Sequence, residues 1–390
     1  MKKPGKRTVT IKKTLLCVGQ KRGIMGMRIM NDFVVCATRS MRQYAARVID
    51  HLAKFPDFSS CAGSFAGTGL LHTVCFANGE LEVEVNASIR GKDVIIFSSS
   101  ARNEAGIGVG EAKLELYHAI DAIKRSQPAN IMVFEPFVSC SRSDRTTRRN
   151  SVGLWIHIKI LSSIGADHIV TYQLHSDKSK SMVDPTICAL DDIPALTLLK
   201  RYLCDTYIQS LDNLENIVRS QWAFCSVDAG GEKLTRRFAN AFGAPLVIAH
   251  KQRDLSRVNT IESIHILSEQ SIEGKTLWIV DDLIDTAGSA ESLIRALVQH
   301  GPKEINLIAV HALFSPPAAQ RIAALTQEGL LKRVIVTDTI WCPNTLADQI
   351  PGIEIVSSAE LSAQIINTIV TNASMSNLLL PFAARDYLKK

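Results

Sequence analysis

The sequence predicts an α/β protein built from two similar domains, each a mainly parallel sheet flanked by helices. Short β-branched apolar runs alternate with amphipathic segments from Asp32 onward, the pattern of successive strand-helix-strand units. The chain has 390 residues, enough for two domains of about 150–200 residues each. No apolar run approaches the roughly 18–20 residues that span a bilayer, so a membrane protein is not expected.

The strands are expected, in order, at 32–38, 93–99, 130–137, 168–174, 222–228, 245–251, 276–282, 304–314 and 333–339. Each is a run such as "NIMVFEPF" or "TLWIVDD", too short for a helix and rich in branched side chains. Between the second and third lies a helix over 109–127. Its Ala112, Leu116, Ala119, Ile120 and Ile123 form one buried stripe, with Glu111, Lys113, Glu115, Lys124 and Arg125 on the open face. "TVCFANGELEVEV" (73–85) reads as a hairpin turning at Asn78-Gly79. Alternation along it places Phe76, Asn78 and Glu80 on one face. The polar stretch 176–192 precedes a helix that begins in "IPALTLLKRYL", so the domain boundary is expected near 194–212. Another polar stretch, 252–263, has no periodicity and reads as a mobile loop.

The net charge of +6 is unevenly placed. Residues 1–31 carry nine Lys or Arg and no acid, leaving 35 bases against 38 acids in the rest. A near-neutral body argues against a nucleic-acid-binding surface, and the arm is expected to be a disordered extension, with organelle import as a second reading. Nine cysteines without a C-x-x-C pair indicate neither a zinc site nor a disulfide framework, so a cytoplasmic location is expected.

The densest chemistry sits in "VDDLIDTAGSA", 280–290. A buried strand ends in Asp281 and Asp282, and Asp285, Thr286, Ala287, Gly288 and Ser289 then turn into a helix at the carboxyl edge of the sheet. Open α/β sheets bind ligands at that edge. Hydroxyls and helix N-terminal amides suit an anion, and the small residues let it approach the backbone. The aspartates would repel a phosphate; they suit sugar hydroxyls or a divalent cation. A capped helix behind a small-residue turn is the alternative for "DTAGS" alone.

This stretch resembles the phosphoribosyl-diphosphate loop of type I phosphoribosyltransferase folds, and its neighbours narrow the resemblance to the ribose-phosphate diphosphokinase family. "FANGE" (76–80), "SIRGKDV" (88–94), "SRSDRTTRR" (141–149), "GADHIVTYQLH" (165–175), "VDAGGEKLTRRFA" (227–239), "HKQRD" (250–254), "HALFSPPA" (311–318) and "SMSNLL" (374–379) stand in that family's order. The resemblance implies two phosphoribosyltransferase-like domains, 32–196 and 197–369, with 370–390 joining the first. It also implies transfer of the diphosphate of ATP to the 1-hydroxyl of ribose 5-phosphate with Mg²⁺, giving AMP and 5-phosphoribosyl 1-diphosphate.

By that resemblance, Lys251 and Arg253 are catalytic. Phe76, Asn78, Glu80, Arg142 and Asp144 meet ATP. Asp281, Asp282 and Asp285 to Ser289 hold ribose 5-phosphate, and His175 and Asp228 meet Mg²⁺. Arg90, Arg149, Ser374 and Ser376 match a regulatory site. The hairpin is expected to complete a neighbouring subunit's ATP pocket, so self-association from dimer to hexamer is implied. Three features depart from the pattern: Ser143 stands for a usual Gln, Gln173 for a usual acid, and 175–195 is long. A non-catalytic paralogue that binds active synthetase subunits is the rival reading. A phosphoribosyltransferase consuming the diphosphate is a third.

Overall fold

The computed structural model describes residues 33–56, 58, 69–146, 148–253, 261–268, 270–341, 343–350 and 352–389, with side chains of 251–253, 261–263 and 377 outside the description. The basic arm therefore lies outside the described residues. From Asn31 onward the chain forms a single contact unit.

The first sheet is wholly parallel, in the order β1-β4-β5-β6-β7: Phe33–Ala37, Asp93–Phe97, Asn130–Glu135, His168–Tyr172 and Ala189–Ile193. Between β1 and β4, Leu71–Cys75 and Leu81–Val85 form the separate antiparallel hairpin β2-β3. The second sheet has the order β10-β9-β8-β11-β12-β13-β14. Its strands are β8 Trp222–Ser226, β9 Leu246–Arg253, β10 Ile261–Ser268, β11 Thr276–Ile284, β12 Glu304–Ala312, β13 Arg333–Thr337 and β14 Glu354–Val356. Only β10 runs antiparallel among these pairs.

The helices used below are α1 Arg42–Leu52, α2 Val109–Arg125, α3 Gly153–Ile164, α4 Leu196–Leu203, α5 Glu232–Phe242, α6 Gly288–Val298, α7 Ala318–Gln327 and, after α8 Pro343–Gln349, α9 Ala359–Val370. The α2 stripe is buried as its spacing predicts: Ala112, Leu116, Ala119, Ile120 and Ile123 are all at most 1% exposed. Burying each of its larger aliphatic side chains contributes roughly 1.5–3 kcal/mol. Glu115 corrects that reading, because it is buried rather than on the open face. Its Oε1 accepts from the Arg39 amide at 2.9 Å and from Thr73 Oγ1 at 2.9 Å, and its Oε2 accepts from Arg39 Nε at 3.0 Å. A carboxylate with these donors ties α2 to β1 and to the hairpin, which is why it tolerates burial.

Three strands were not expected. β7 closes the polar stretch 176–192, and its "ALDDI" pairs on one side only; Asp192, at 8% side-chain exposure, is tolerated because it accepts from the Leu174 amide at 2.9 Å and pairs with Lys180 at 3.3 Å. β14 is a three-residue edge. β9 and β10 extend into the segment read as a loop, pairing from Ile261↔Arg253 to Ser268↔Val247. The hairpin also turns differently. Gly79 N donates to the Phe76 carbonyl at 2.9 Å and Phe76 N to the Glu80 carbonyl at 2.8 Å, with Gly79 at φ +89°. This is a three-residue loop whose last position needs a left-handed conformation. Residues 76–80 are therefore the reversal itself, and strand alternation does not set the directions of Phe76, Asn78 and Glu80.

Two kinds of contact join the sheets. His311 of β12 is buried, its Nε2 facing the carbonyls of Tyr172 at 3.1 Å and Gln173 at 3.2 Å, just past β6. Two acceptors there assign the proton to Nε2, so Nδ1 accepts from Thr339 Oγ1 at 2.9 Å. Near β6, too, α9 packs against α1. Tyr44 Oη meets Ser358 Oγ at 2.8 Å and Ser362 Oγ at 2.7 Å, and Tyr172 Oη meets Ser362 Oγ at 2.7 Å.

Candidate active site

Strand order locates the site. From β8 the chain runs outward through β9 and β10 on one side, whereas β11 starts the run to β14 on the other. The carboxyl ends of β8 and β11 therefore flank the switch point where parallel sheets leave a crevice. A cavity of about 550 Å³ opens there, lined by Asp228, Gly230 and Gly231 after β8 and by Asp281 to Ala290 from β11 into α6. The first sheet closes its other side with Arg142 and with 173–178.

One end of the cavity is acidic. Asp281 and Asp282 occupy the last turns of β11, where the strand runs past its β8 partner at Val280↔Ser226. His175 Nδ1 and Asp282 Oδ2 are 2.7 Å apart. Burial pushes the Asp281 carboxyl well above the usual carboxylate range, with the adjacent Asp282 adding to it. Against the same burial, the His175 hydrogen bond holds Asp282 below that range. The hydrogen bond to Asp282 in turn raises His175. One carboxyl thus tends to keep its proton while its neighbour stays ionised, a division that follows from crowding two acids in a poorly solvated place.

The other end is a helix terminus. Ala287 is the N-cap of α6 at φ +59°, and no side chain caps the helix there. The first-turn amides have no acceptor within the helix, so they suit an anion. A left-handed alanine costs roughly 1–2 kcal/mol, strain of the kind stored at ligand loops. Arg321 of α7, which sequence reasoning missed, braces this loop by donating from Nη1 to the Thr286 carbonyl at 2.9 Å. A Cβ on Gly288 would lie 2.8 Å from that guanidinium nitrogen, so a larger residue there would push the arginine off the loop. Nothing in the sequence couples Arg321 to residue 286; the α6-α7 packing does.

Arg142 Nη2 donates to Asp285 Oδ2 at 2.6 Å, across from one sheet to the other. Asp228 Oδ1 accepts from the Gly231 amide at 3.0 Å. Lys178, Lys233 and Arg237 also line the cavity, and Lys233 Nζ donates to Asp177 Oδ2 at 2.8 Å.

Of the residues singled out from sequence, Arg142, His175, Asp228, Asp281, Asp282 and Asp285 to Ser289 share this cavity. Asp144 is near enough to raise His175 but does not line it. Phe76, Asn78 and Glu80 are exposed on the hairpin and do not line it either. Lys251 and Arg253 lie at the end of β9, and their side chains are outside the described residues. Arg90, Arg149, Ser374 and Ser376 are exposed elsewhere; Arg90 bonds Gln127, and Ser374 Oγ meets Ser376 Oγ at 2.9 Å.

The donor set bears on a metal. Among the described residues no group of three or more His, Cys, Asp or Glu is placed to hold an ion. The carboxylates that do line the cavity, Asp228 among them, are oxygen donors of the kind Mg²⁺ takes, one or two at a time beside waters and substrate phosphates.

Residues 33–165 match the model described as the N-terminal domain of ribose phosphate pyrophosphokinase, and 198–330 match the phosphoribosyl transferase domain. The ribose-phosphate pyrophosphokinase of Fusobacterium nucleatum is 30% identical over 304 residues, 78% of this chain and 88% of that one. That of Mycobacterium leprae is 32% identical over 305 residues, 78% of this chain and 85% of that one. The crystal structure of phosphoribosylpyrophosphate synthetase from Mycobacterium smegmatis superposes with a TM-score of 0.72 at 26% identity, covering 88% of this chain and all of that one.

Proposed function

The chain belongs to the ribose-phosphate pyrophosphokinase family, and from that premise we propose how its own residues carry out the family's reaction. The chain is a transferase of two phosphoribosyltransferase-like domains, and the two family matches leave their division between 165 and 198, which supports the boundary at 196/197. The substrates are ATP and ribose 5-phosphate. The β- and γ-phosphates of ATP pass to the 1-hydroxyl of the sugar, giving 5-phosphoribosyl 1-diphosphate and AMP.

One observation carries the assignment of roles: two carboxyls and an uncapped helix N-terminus stand along one wall of the cavity at the switch point. Their order along that wall suits a sugar that bears a phosphate at its far end. Asp281 and Asp282 engage the ribose hydroxyls, and the amides and hydroxyls of 286–289 take the 5-phosphate. Each charge-assisted hydrogen bond to that phosphate contributes on the order of 1.5–3 kcal/mol, so the loop holds it without a lysine. The 1-hydroxyl then points toward Arg142, where the ATP phosphates lie. Lys251 and Arg253, at the end of β9 beside β8, supply positive charge as phosphate charge develops.

Asp228 and His175 are the residues that would hold Mg²⁺. His175 commits Nδ1 to Asp282 and so leaves Nε2 for the cation. When bound, the ion offsets the charge of the transferring diphosphate. The exposed hairpin, absent from the cavity, supports self-association in which Phe76, Asn78 and Glu80 meet adenine in a second copy. Arg90, Arg149, Ser374 and Ser376 remain the proposed regulatory positions. A cytoplasmic setting is part of the same proposal and rests on the scattered spacing of the nine cysteines.

The test is AMP release from ATP in the wild type and in Lys251→Ala. Release should require both ribose 5-phosphate and Mg²⁺ and fall at least about 100-fold in the variant. No sugar-dependent AMP from the wild type would defeat the reading, and equal rates would remove Lys251 from the reaction.

A further inference from the structure

Asp285 is the one acid in the phosphate loop, where a negative charge weakens binding of an anion. Its carboxylate is not idle. It takes the Arg142 guanidinium at 2.6 Å, joining residues 143 positions apart on different sheets. Asp285 is mostly shielded, at 21% side-chain exposure, whereas Arg142 is 52% exposed. The guanidinium has five in-plane N–H donors and spends one on this contact, which leaves the others along its edges for polyphosphate oxygens.

We propose that Asp285 is a positioning residue for ATP: through its ion pair with Arg142 it presents that arginine to the polyphosphate and couples ATP binding to ribose 5-phosphate binding. The proposal rests on the reading of 285–289 as the ribose 5-phosphate loop and of Arg142 as the ATP contact. Three consequences follow from the geometry. The arginine cancels the charge of Asp285, so the loop can receive a dianion. A sugar phosphate seated on 286–289 fixes the backbone of Asp285 and thereby the arginine. The backbone amide of 285 serves the loop whatever its side chain is, so changing the carboxylate should affect ATP more than the sugar.

Arg142 and His175 line the same cavity and reach Asp285 and Asp282 at the end of one strand, which puts the arginine on the same wall as the residue proposed to hold the cation of the ATP complex. An arginine in that place, carried by an acid from the opposite wall, is ordered only when both walls are.

The experiment compares wild type, Asp285→Asn and Asp285→Glu in the AMP-release assay. It also titrates each with α,β-methylene ATP, which blocks cleavage, with and without ribose 5-phosphate. Asp285→Asn should raise the KM for ATP roughly tenfold and the KM for ribose 5-phosphate less than about threefold. Ribose 5-phosphate should tighten the analogue in the wild type and no longer do so in Asp285→Asn. Asp285→Glu, which keeps the charge, should recover most of both effects. A KM increase confined to ribose 5-phosphate, or coupling that persists in Asp285→Asn, overturns the proposal while wild-type activity stands. A wild type without sugar-dependent AMP release overturns the functional reading and this proposal together.

Discussion

The mouth of the cavity and a buried seam outside its lining, the floor of the joint, link the same two sheets by opposite means. At the mouth the first sheet presents Arg142 and His175, and the second answers with Asp285 and Asp282. These contacts are charged, and the Arg142 and His175 side chains are 52% and 45% exposed. On the floor, His311 and the Tyr44, Tyr172, Ser358 and Ser362 hydroxyls are buried and neutral. An exposed ion pair is held by little net energy, because water and salt serve its partners nearly as well. A buried hydrogen bond is modest in net worth but costly to lose, since its partner is left without water. The mouth is therefore built to exchange its protein partners for substrate groups, and the floor is built to keep the walls in place while that happens.

The sharpest way to break this contrast is Asp282→Ala. It removes a mouth residue that bonds His175 and is proposed to face the sugar, so kcat/KM should fall roughly 100- to 1,000-fold. Urea unfolding should shift by less than about 1 kcal/mol, because half of the pair is exposed. A large loss of stability would show that Asp282 belongs to the floor.

His311 tests the floor through pH. Burial lowers its pKa to about 4 from 6.5. The unfolded chain then binds a proton between these values that the folded chain does not, so the contribution to stability is full above 6.5 and is lost as pH falls toward 4. The span corresponds to roughly 3 kcal/mol. Unfolding free energies measured at several pH values from 7 to 4.5 should decline with acid in the wild type and decline less steeply in His311→Gln. Parallel curves would mean the imidazole is not what titrates.

Lys233→Ala should have the smallest effect. The Lys233–Asp177 pair crosses the cavity rim with side chains 71% and 56% exposed, so unfolding should change by no more than about 0.5 kcal/mol. A shift several times larger would show that rim ion pairs, too, hold the walls.

What could be read beforehand follows the same division. Buried parallel strands such as "TLWIV" and "NIMVF" announce themselves because both faces are covered, and the α2 stripe does so by its period. The ends of β11 and β8 were legible because carboxylates and small residues at a strand end have few other uses. Edge strands were not, since β7 and β14 pair on one side and tolerate acids. Glu115, Arg321 and His311 were also missed as structural partners. Their roles depend on residues 42, 35 and 138 or more positions away, which no local pattern encodes.

The central claim is that the cavity directs a diphosphate from ATP onto the sugar's 1-hydroxyl. A ³¹P spectrum of protein, Mg²⁺, ATP and ribose 5-phosphate follows both phosphates at once. The account predicts AMP together with a sugar-linked diphosphate and no accumulation of ADP. Appearance of ADP with a singly phosphorylated new product, or an ATP spectrum unchanged by the sugar, would contradict it.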